Sequence, residues 1–232
     1  KIPRGCLLVG PPGTGKSMLA QRMATIMPTM SDDEAISTAA LYSIIGQSID
    51  LTNWRQRPFR NPHHTCSAVA LVGGSSNPKP GEISLAHNGV LFLDELPEFE
   101  RKVLDSLREP METGTVTISR AARQMEFPAQ FQLITALNPS PTGSHTDKRA
   151  TPDQVMRYLS RVSGPFIDRI DLQIELPRLT SVELQSTKPE ETSAEVRARV
   201  EAAYYVQLKR QGKVNARLNN KEMSVHCELA PA

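Results

Sequence analysis

The apolar residues of this chain gather in short unbroken runs rather than in strict alternation with polar ones. Cys6-Leu7-Leu8-Val9, Val90-Leu91-Phe92-Leu93 and Leu133-Ile134-Thr135-Ala136-Leu137 each read as a strand that is apolar on both faces, the pattern of a parallel sheet covered on both sides. Ile170 to Leu176 reads as a last strand. Between these runs the period changes. Met18, Leu19, Met23, Ile26 and Met27 recur near helical spacing and stop before Pro28. Ser31 with Glu34 three residues later is a capping-box pattern, opening a helix through Ala35, Ile36, Ala39 and Leu41 to about Ile45. Pro97 to Met111 reads as one helix, with Phe99, Val103, Leu104 and Leu107 on one side and Gly114 as its stop, and Thr151 to Val162 suggests another. Val116-Thr117-Ile118 and Phe127 to Phe131 look like the arms of a hairpin whose tip holds Arg120, Ala121, Ala122, Arg123 and Gln124. Strands alternating with helices predict an α/β fold, a parallel sheet flanked by helices.

Two stretches break that rhythm. Asp50 to Glu82 gathers Pro58, Pro62, Pro78, Pro80, Gly73, Gly74 and Gly81 among Arg55, Arg57, Arg60 and Lys79, and reads as an ordered insertion or a loop. A Pro/Thr/Glu-rich stretch from Pro177 to Ser193 marks a boundary before a helix around Ala194 to Gln211, and Gly212 to Ala232 offers no convincing further element.

Composition narrows the picture a little. At 232 residues the chain can hold one large domain, or one domain and a small appendage. A net charge of +2 means that any nucleic-acid surface is a local patch. Cys6, Cys66 and Cys227 are odd in number and far apart, which fits a reducing compartment and offers no zinc spacing. No long uncharged apolar stretch exists and no signal peptide precedes the first strand, so no membrane association and a cytoplasmic location are expected. A chain that begins at Lys1 without an initiator Met is expected to be a piece of a longer protein.

The chemistry starts where the first strand ends. Gly10-Pro11-Pro12-Gly13-Thr14-Gly15-Lys16-Ser17, between a strand and a helix, has the spacing of a phosphate-binding loop: backbone amides turn inward around an anion, and the helix points its positive end at the same place. Lys16 would neutralise the outer phosphates and Ser17 would hold Mg2+. A Gly/Pro-rich surface turn explains the glycines and prolines but not the Gly-Lys-Ser ending. Asp94-Glu95 closes the second apolar strand at the carboxyl edge of the sheet, where the phosphate loop also lies. There Asp94 would fix the metal through water and Glu95 would polarise the attacking water, the arrangement of an ATP hydrolase. The two acids also suit the start of the helix that follows. Asn138 ends the third strand, where it would orient that water or touch the terminal phosphate; an Asn-Pro turn is the plainer reading. Arg169, beside Asp168 and Asp171, is open to two roles: an internal ion pair, or a charge offered to a nucleotide on a neighbouring subunit. Arg120, Arg123, Gln124 and Lys79 are candidate DNA contacts, with Arg57 and Arg60 as further cations of the insertion. His63-His64 makes no metal site, since adjacent side chains rarely converge on one ion.

Together these pieces resemble the AAA+ ATPases, and within them the magnesium-chelatase-like branch that includes the ComM (YifB) family. The resemblance rests on Arg57-Pro58-Phe59-Arg60, Pro62-His63-His64-Thr65, Gly73-Gly74 and Pro80 to His87. It continues through Gly89 to Phe99, Thr117-Ile118-Ser119-Arg120, Ser163-Gly164-Pro165 and Asp168-Arg169-Ile170-Asp171, nearly the whole chain. It implies that Gly10 to Ser17 is Walker A, that Asp94 and Glu95 are Walker B, that Asn138 is sensor 1, and that Arg169 is an arginine finger. It further implies a helix-2 insert from about Trp54 to Glu82 and a pre-sensor-1 β-hairpin from Thr115 to Phe131, both facing the pore of a ring. The implied division is an AAA+ P-loop core at 1–177 and a linker with a truncated, partial α-helical lid at 178–232. The implied activity is that of a homo-hexameric, ATP- and Mg2+-dependent DNA helicase that drives branch migration on single-stranded or branched DNA in natural transformation and homologous recombination. The alternative is a chelatase-type subunit that remodels a protein partner, and a third is a nucleotide-gated assembly switch. The isolated segment is expected to hydrolyse ATP weakly, its lid being cut short. Ser140-Pro141-Thr142-Gly143-Ser144-His145 replaces the cysteine-rich stretch of many members, so no metal cluster is carried over. The family's Lon-protease-like domain has no counterpart here. The sensor-2 arginine is expected beyond Ala232, Arg197 and Arg199 being the nearby arginines.

Overall fold

The computed structural model describes residues 5–48, 50–74, 78–120, 123–143, 150–180, 185 and 191–227; the side chains of Leu51, Arg120 and Arg123 lie outside that description. β1, Gly5–Val9, feeds the glycine-rich loop, and α1, Lys16–Ile26, leaves it. α2, Asp32–Ile44, starts behind the Ser31/Glu34 capping box that the sequence announces. β2 is only Phe59–Arg60; α3, Ala68–Val72, and α4, Glu82–Leu85, follow. β3, Val90–Leu93, leads into a 3-10 turn at Leu96–Glu98, then α5, Arg101–Asp105, and α6, Arg108–Thr113. β4, Thr115–Arg120, and β5, Arg123–Pro128, form an antiparallel hairpin outside the main sheet. β6, Gln132–Leu137, is followed by α7, Pro152–Leu159, α8, Gly164–Ile167, and β7, Leu172–Glu175. Beyond the boundary stretch come α9, Ser193–Gln211, and α10, Asn220–His226.

The main sheet has the order β2-β3-β6-β1-β7, and every pairing in it is parallel. The chain is therefore an α/β protein with an AAA+ P-loop core. Its apolar runs are two-faced because the sheet is sandwiched. Leu7, Leu91, Leu93 and Leu133 pack into one cluster with Leu71, Ile83, Leu104 and Phe166. Leu8, Val90, Phe92, Ile134 and Ala136 pack into a second, with Ala20 and Met23 of α1. Phe92, Leu91, Leu93 and Leu133 are fully buried, each contributing roughly 1.5–3 kcal/mol relative to exposure.

Four departures from the sequence reading have physical reasons. The helix expected at Pro97 to Met111 is broken after Asp105. Pro110 has no N–H to give the carbonyl four residues back, at Ser106, and its ring crowds that carbonyl. The segment read as insertion contains β2, the edge strand of the main sheet, which at two residues is too short to show a period. The last strand is confined to Leu172–Glu175, since Ile170 is buried at the end of a turn that follows α8. The tail does hold a further element: Asn219 caps α10 and Glu222 closes a capping box on it.

The C-terminal helices lie on the core away from the phosphate loop. Arg197 Nε donates to Thr25 O at 2.7 Å, capping the C-terminal end of α1, and Arg217 of the 3-10 turn Asn215–Arg217 reaches Glu34 at 3.4 Å. Arg199 pairs with Glu191. Neither Arg197 nor Arg199 stands at the loop end of α1. Among the described residues no helix is long and apolar enough to cross a membrane.

Candidate active site

Parallel register brings three chain segments to one edge of the sheet. β6 lies between β3 and β1, with Val9 beside Leu137 and Leu93 beside Thr135. The residues that follow these strands therefore converge, and Gly10, Asp94 and Asn138 meet where a ligand of such a sheet binds.

The loop itself is built for an anion. Gly13 and Gly15 take φ of 82° and 83°, the left-handed region that turns successive amides inward without a side-chain penalty. Thr14 Oγ1 donates to Pro11 O at 2.9 Å and holds the turn. Among the described helices of seven or more residues, α2, α7, α9 and α10 begin with capping boxes, whereas α1 begins behind Gly15, which has no side chain to cap it. The first-turn amides of α1 are left for a phosphate.

Lys16 is buried, and its ammonium donates to Gly10 O at 2.6 Å, Pro11 O at 2.9 Å and Asn138 Oδ1 at 3.0 Å. Burial pulls it below the ordinary lysine range, with the charge of Asp94 opposing. Ser17 Oγ donates to Asp94 Oδ2 at 2.6 Å, so a hydroxyl and a carboxylate stand together as the oxygen donors that Mg2+ takes. Asp94 Oδ1 accepts from the backbone N–H of Glu95 at 2.9 Å. Glu95 occupies the left-handed region at φ 54°, and its carboxylate lies 3.1 Å from His64 Nδ1. The donor set fits a nucleotide with its metal: Lys16 and the α1 amides for phosphate, Ser17 and Asp94 for Mg2+.

Lys16 thus bonds Asn138 while Ser17, next in the chain, bonds Asp94, which brings the four residues together, and Glu95 adjoins them. Arg169 is elsewhere. A Cβ on Gly5, at the opposite end of β1 from the loop, would sit 3.5 Å from Arg169 O, and the guanidinium pairs with Glu112 and donates to Pro165 O at 2.5 Å. Its ion pair is with Glu112, a partner that the spacing to Asp168 and Asp171 did not suggest. Gln124 and Lys79 are exposed; the tip residues Ala121 and Ala122 lie outside the described residues. Arg57 and Arg60 are not available to DNA. Arg57 is buried against Glu34 at 3.1 Å and also donates to Pro28 O and Asn88 O, while Arg60 forms a two-pronged pair with Glu82, both bonds 2.6 Å. Arg57 fastens the insertion to the core, and Arg60 ties the two ends of the insertion to each other.

Sequence reasoning missed two residues of the site. Tyr158 of α7 is buried beside Asn138, whose backbone bonds its hydroxyl; burial pushes that phenol up to about 12. His64 was read only as a failed metal ligand, although it touches Glu95. No cluster able to hold a metal through His, Cys, Asp and Glu occurs among the described residues.

The protein-family model "Magnesium chelatase, subunit ChlI" matches residues 4–184, and "Magnesium chelatase, subunit ChlI C-terminal" matches residues 190–232. "Competence protein ComM" of Haemophilus influenzae is 57% identical over 226 residues, covering 96% of this chain and 44% of that protein. The chain belongs to the ComM (YifB) family of magnesium-chelatase-like AAA+ proteins. "Uncharacterized protein YifB" of Escherichia coli is 53% identical over 226 residues, 96% of this chain and 45% of that protein. "Magnesium-chelatase subunit ChlI, chloroplastic" of Nicotiana tabacum is more distant, 24% identical over 157 residues, 58% of this chain and 37% of that protein. The chain spans less than half the length of the ComM and YifB relatives it matches.

Proposed function

We propose that this chain is the ATP-hydrolysing core of a ring-forming DNA motor, a homo-hexamer in the full-length protein that moves branched or single-stranded DNA in natural transformation and recombination. The observation that carries the reading is the joined set Lys16, Ser17, Asp94 and Asn138, a site able to hold ATP and Mg2+, on a chain 57% identical to a protein named for competence. Bound Mg2+ would draw charge from the β- and γ-phosphates. Lys16 leaves its loop carbonyls for the phosphate oxygens, Asn138 orients the attacking water, and Glu95 takes its proton. Arg169, at the far end of β1 from its own loop, serves a neighbour's nucleotide. The hairpin with Arg120, Arg123 and Gln124, and Lys79 on the insertion, are the proposed DNA contacts.

The deciding experiment compares DNA-stimulated ATPase activity and movement of a branched junction in the full-length protein, with and without Arg120→Ala and Arg123→Ala. Loss of DNA binding with basal ATPase retained, and a salt slope reduced by about 1 per lost phosphate contact, is the expected result. Absence of both DNA stimulation and junction movement in the unaltered protein rejects the motor. A second reading, a chelatase-type subunit that remodels a protein partner, is favoured by the match to the ChlI family models over both parts of the chain. It predicts that the two hairpin substitutions leave DNA binding unchanged.

A further inference from the structure

Glu112 is the last residue but one of α6, and the hairpin begins at Thr115. The join between them is held from both sides. Gly114 turns the chain at φ 75°, its N–H donates to Pro110 O at 2.9 Å, and its carbonyl accepts from the Ala129 N–H at 2.7 Å. Thr113 Oγ1 adds a bond to Glu109 O at 3.0 Å. The backbone at Glu112 is therefore placed by α6 and the base of the hairpin, not by whatever its carboxylate meets.

That carboxylate meets Arg169. It pairs with one terminal nitrogen of the guanidinium, the other terminal nitrogen donates to Pro165 O at 2.5 Å, and Nε is buried with no hydrogen-bond partner among the described residues. An arginine in this position is folded against its own subunit, and to reach a phosphate elsewhere it has to leave Glu112. The side chains of Arg169 and Glu112 are 24% and 60% exposed, so water screens the pair, and it biases the arginine by up to about fivefold rather than fixing it. The unpaired Nε weakens the folded-in position further. Phosphate oxygens, which take a guanidinium through two parallel bonds, can displace a carboxylate held this loosely.

We propose that Glu112 is a positioning residue that holds Arg169 back, so that the arginine crosses to a neighbour's ATP only when the phosphates there displace the carboxylate. The inference rests on the reading of Arg169 as serving a neighbour's nucleotide. It has a consequence that a merely structural ion pair lacks: the hold is made within one chain, and its effect on turnover falls on the next.

The test uses the full-length protein in mixtures of two variants. One carries Lys16→Ala and supplies only its arginine; the other carries Arg169→Ala and supplies only its phosphate loop. Glu112→Ala or Glu112→Gln is then added to one chain or to the other, and kcat and KM for ATP are compared with the mixture that has Glu112 intact. In the arginine-supplying chain, either substitution should raise kcat about two- to fivefold, the whole strength of an exposed pair, with KM unchanged. In the loop-supplying chain, neither should change the rate. Gln keeps the volume of Glu, so a rise shared by Ala and Gln is not a packing effect. A rise from both chains alike, or a rate at or below the reference with Gln in the folded arginine-supplying chain, overturns the hold. A reference mixture that recovers no turnover at all refutes the action of Arg169 on a neighbour, and the proposal falls with it.

Discussion

Lys16 and Asn138 are joined by a 3.0 Å hydrogen bond although 122 positions separate them in the chain. The bond closes the glycine-rich loop onto the end of β6, so the loop lysine and the residue that follows the third apolar strand form one unit. Gly143 extends the contact, since a Cβ there would lie 2.7 Å from Pro12 Cδ.

Replacing Asn138 with Ala should separate catalysis from binding. Lys16 keeps its two carbonyl acceptors, so nucleotide affinity should change less than threefold, while turnover loses a water-orienting group, about a 10²-fold effect. Equilibrium nucleotide binding and steady-state ATPase rates, measured side by side, check this. An equal loss in both would make Asn138 a structural prop.

The Ser17–Asp94 pair, 2.6 Å apart, predicts a metal-specific defect. Asp94→Asn removes the charge opposite the metal and should weaken nucleotide binding in the presence of Mg2+ by about 10- to 100-fold, the range seen when groups supporting a metal's ligands are lost. Binding in the presence of a chelator should change little. Titration of a fluorescent ATP analogue with and without Mg2+ distinguishes the two.

Arg169 at the far end of β1 yields a complementation experiment. Lys16→Ala and Arg169→Ala should each abolish turnover, the second by at least about 10³-fold if it acts as an arginine finger. Mixed in equal amounts, the two proteins should recover a measurable fraction of the original rate, because some interfaces pair an intact loop with an intact arginine. No recovery, with mixed rings verified by mass, would confine Arg169 to its ion pair with Glu112.

The sequence made the centre of the fold legible because β1, β3 and β6 are buried on both faces, and burial of that kind leaves continuous apolar runs. The residues just past each run follow at once: Gly10, Asp94 and Asn138. The edge was not legible. β2 has two residues, both half-buried, and its pairing with β3 depends on tertiary contact alone, so the neighbourhood of His64 and Glu95 had no signal in the sequence. Arg57 and Arg60 were misread for the same reason. A cation in a Pro/Gly-rich stretch looks exposed until Glu34 and Glu82, more than 20 positions away, are folded against it. Broken helices were hidden too, because Val103, Leu104 and Leu107 keep a helical spacing across a break that Pro110 imposes from behind.

His87 supplies a prediction about stability rather than catalysis. Its side chain is buried, Nδ1 accepts from the backbone N–H of Gln130 at 3.0 Å, and the pKa is lowered to about 4, chiefly by burial, with the charge of Arg217 adding and that of Glu34 opposing. The unfolded chain takes up a proton on this ring near pH 6.5, whereas the native protein resists it until about pH 4. Stability is therefore intact above pH 6.5 and is lost as the pH falls through that window, by about 2 kcal/mol between pH 7 and pH 5. Urea unfolding at the two pH values measures the loss directly. His87→Gln offers the Gln130 N–H a neutral acceptor that does not titrate, so it should remove most of the difference between pH 7 and pH 5. Persistence of the full difference in that variant would assign the pH sensitivity to other groups, and would mean that His87 is protonated in the native state with a partner that compensates its charge.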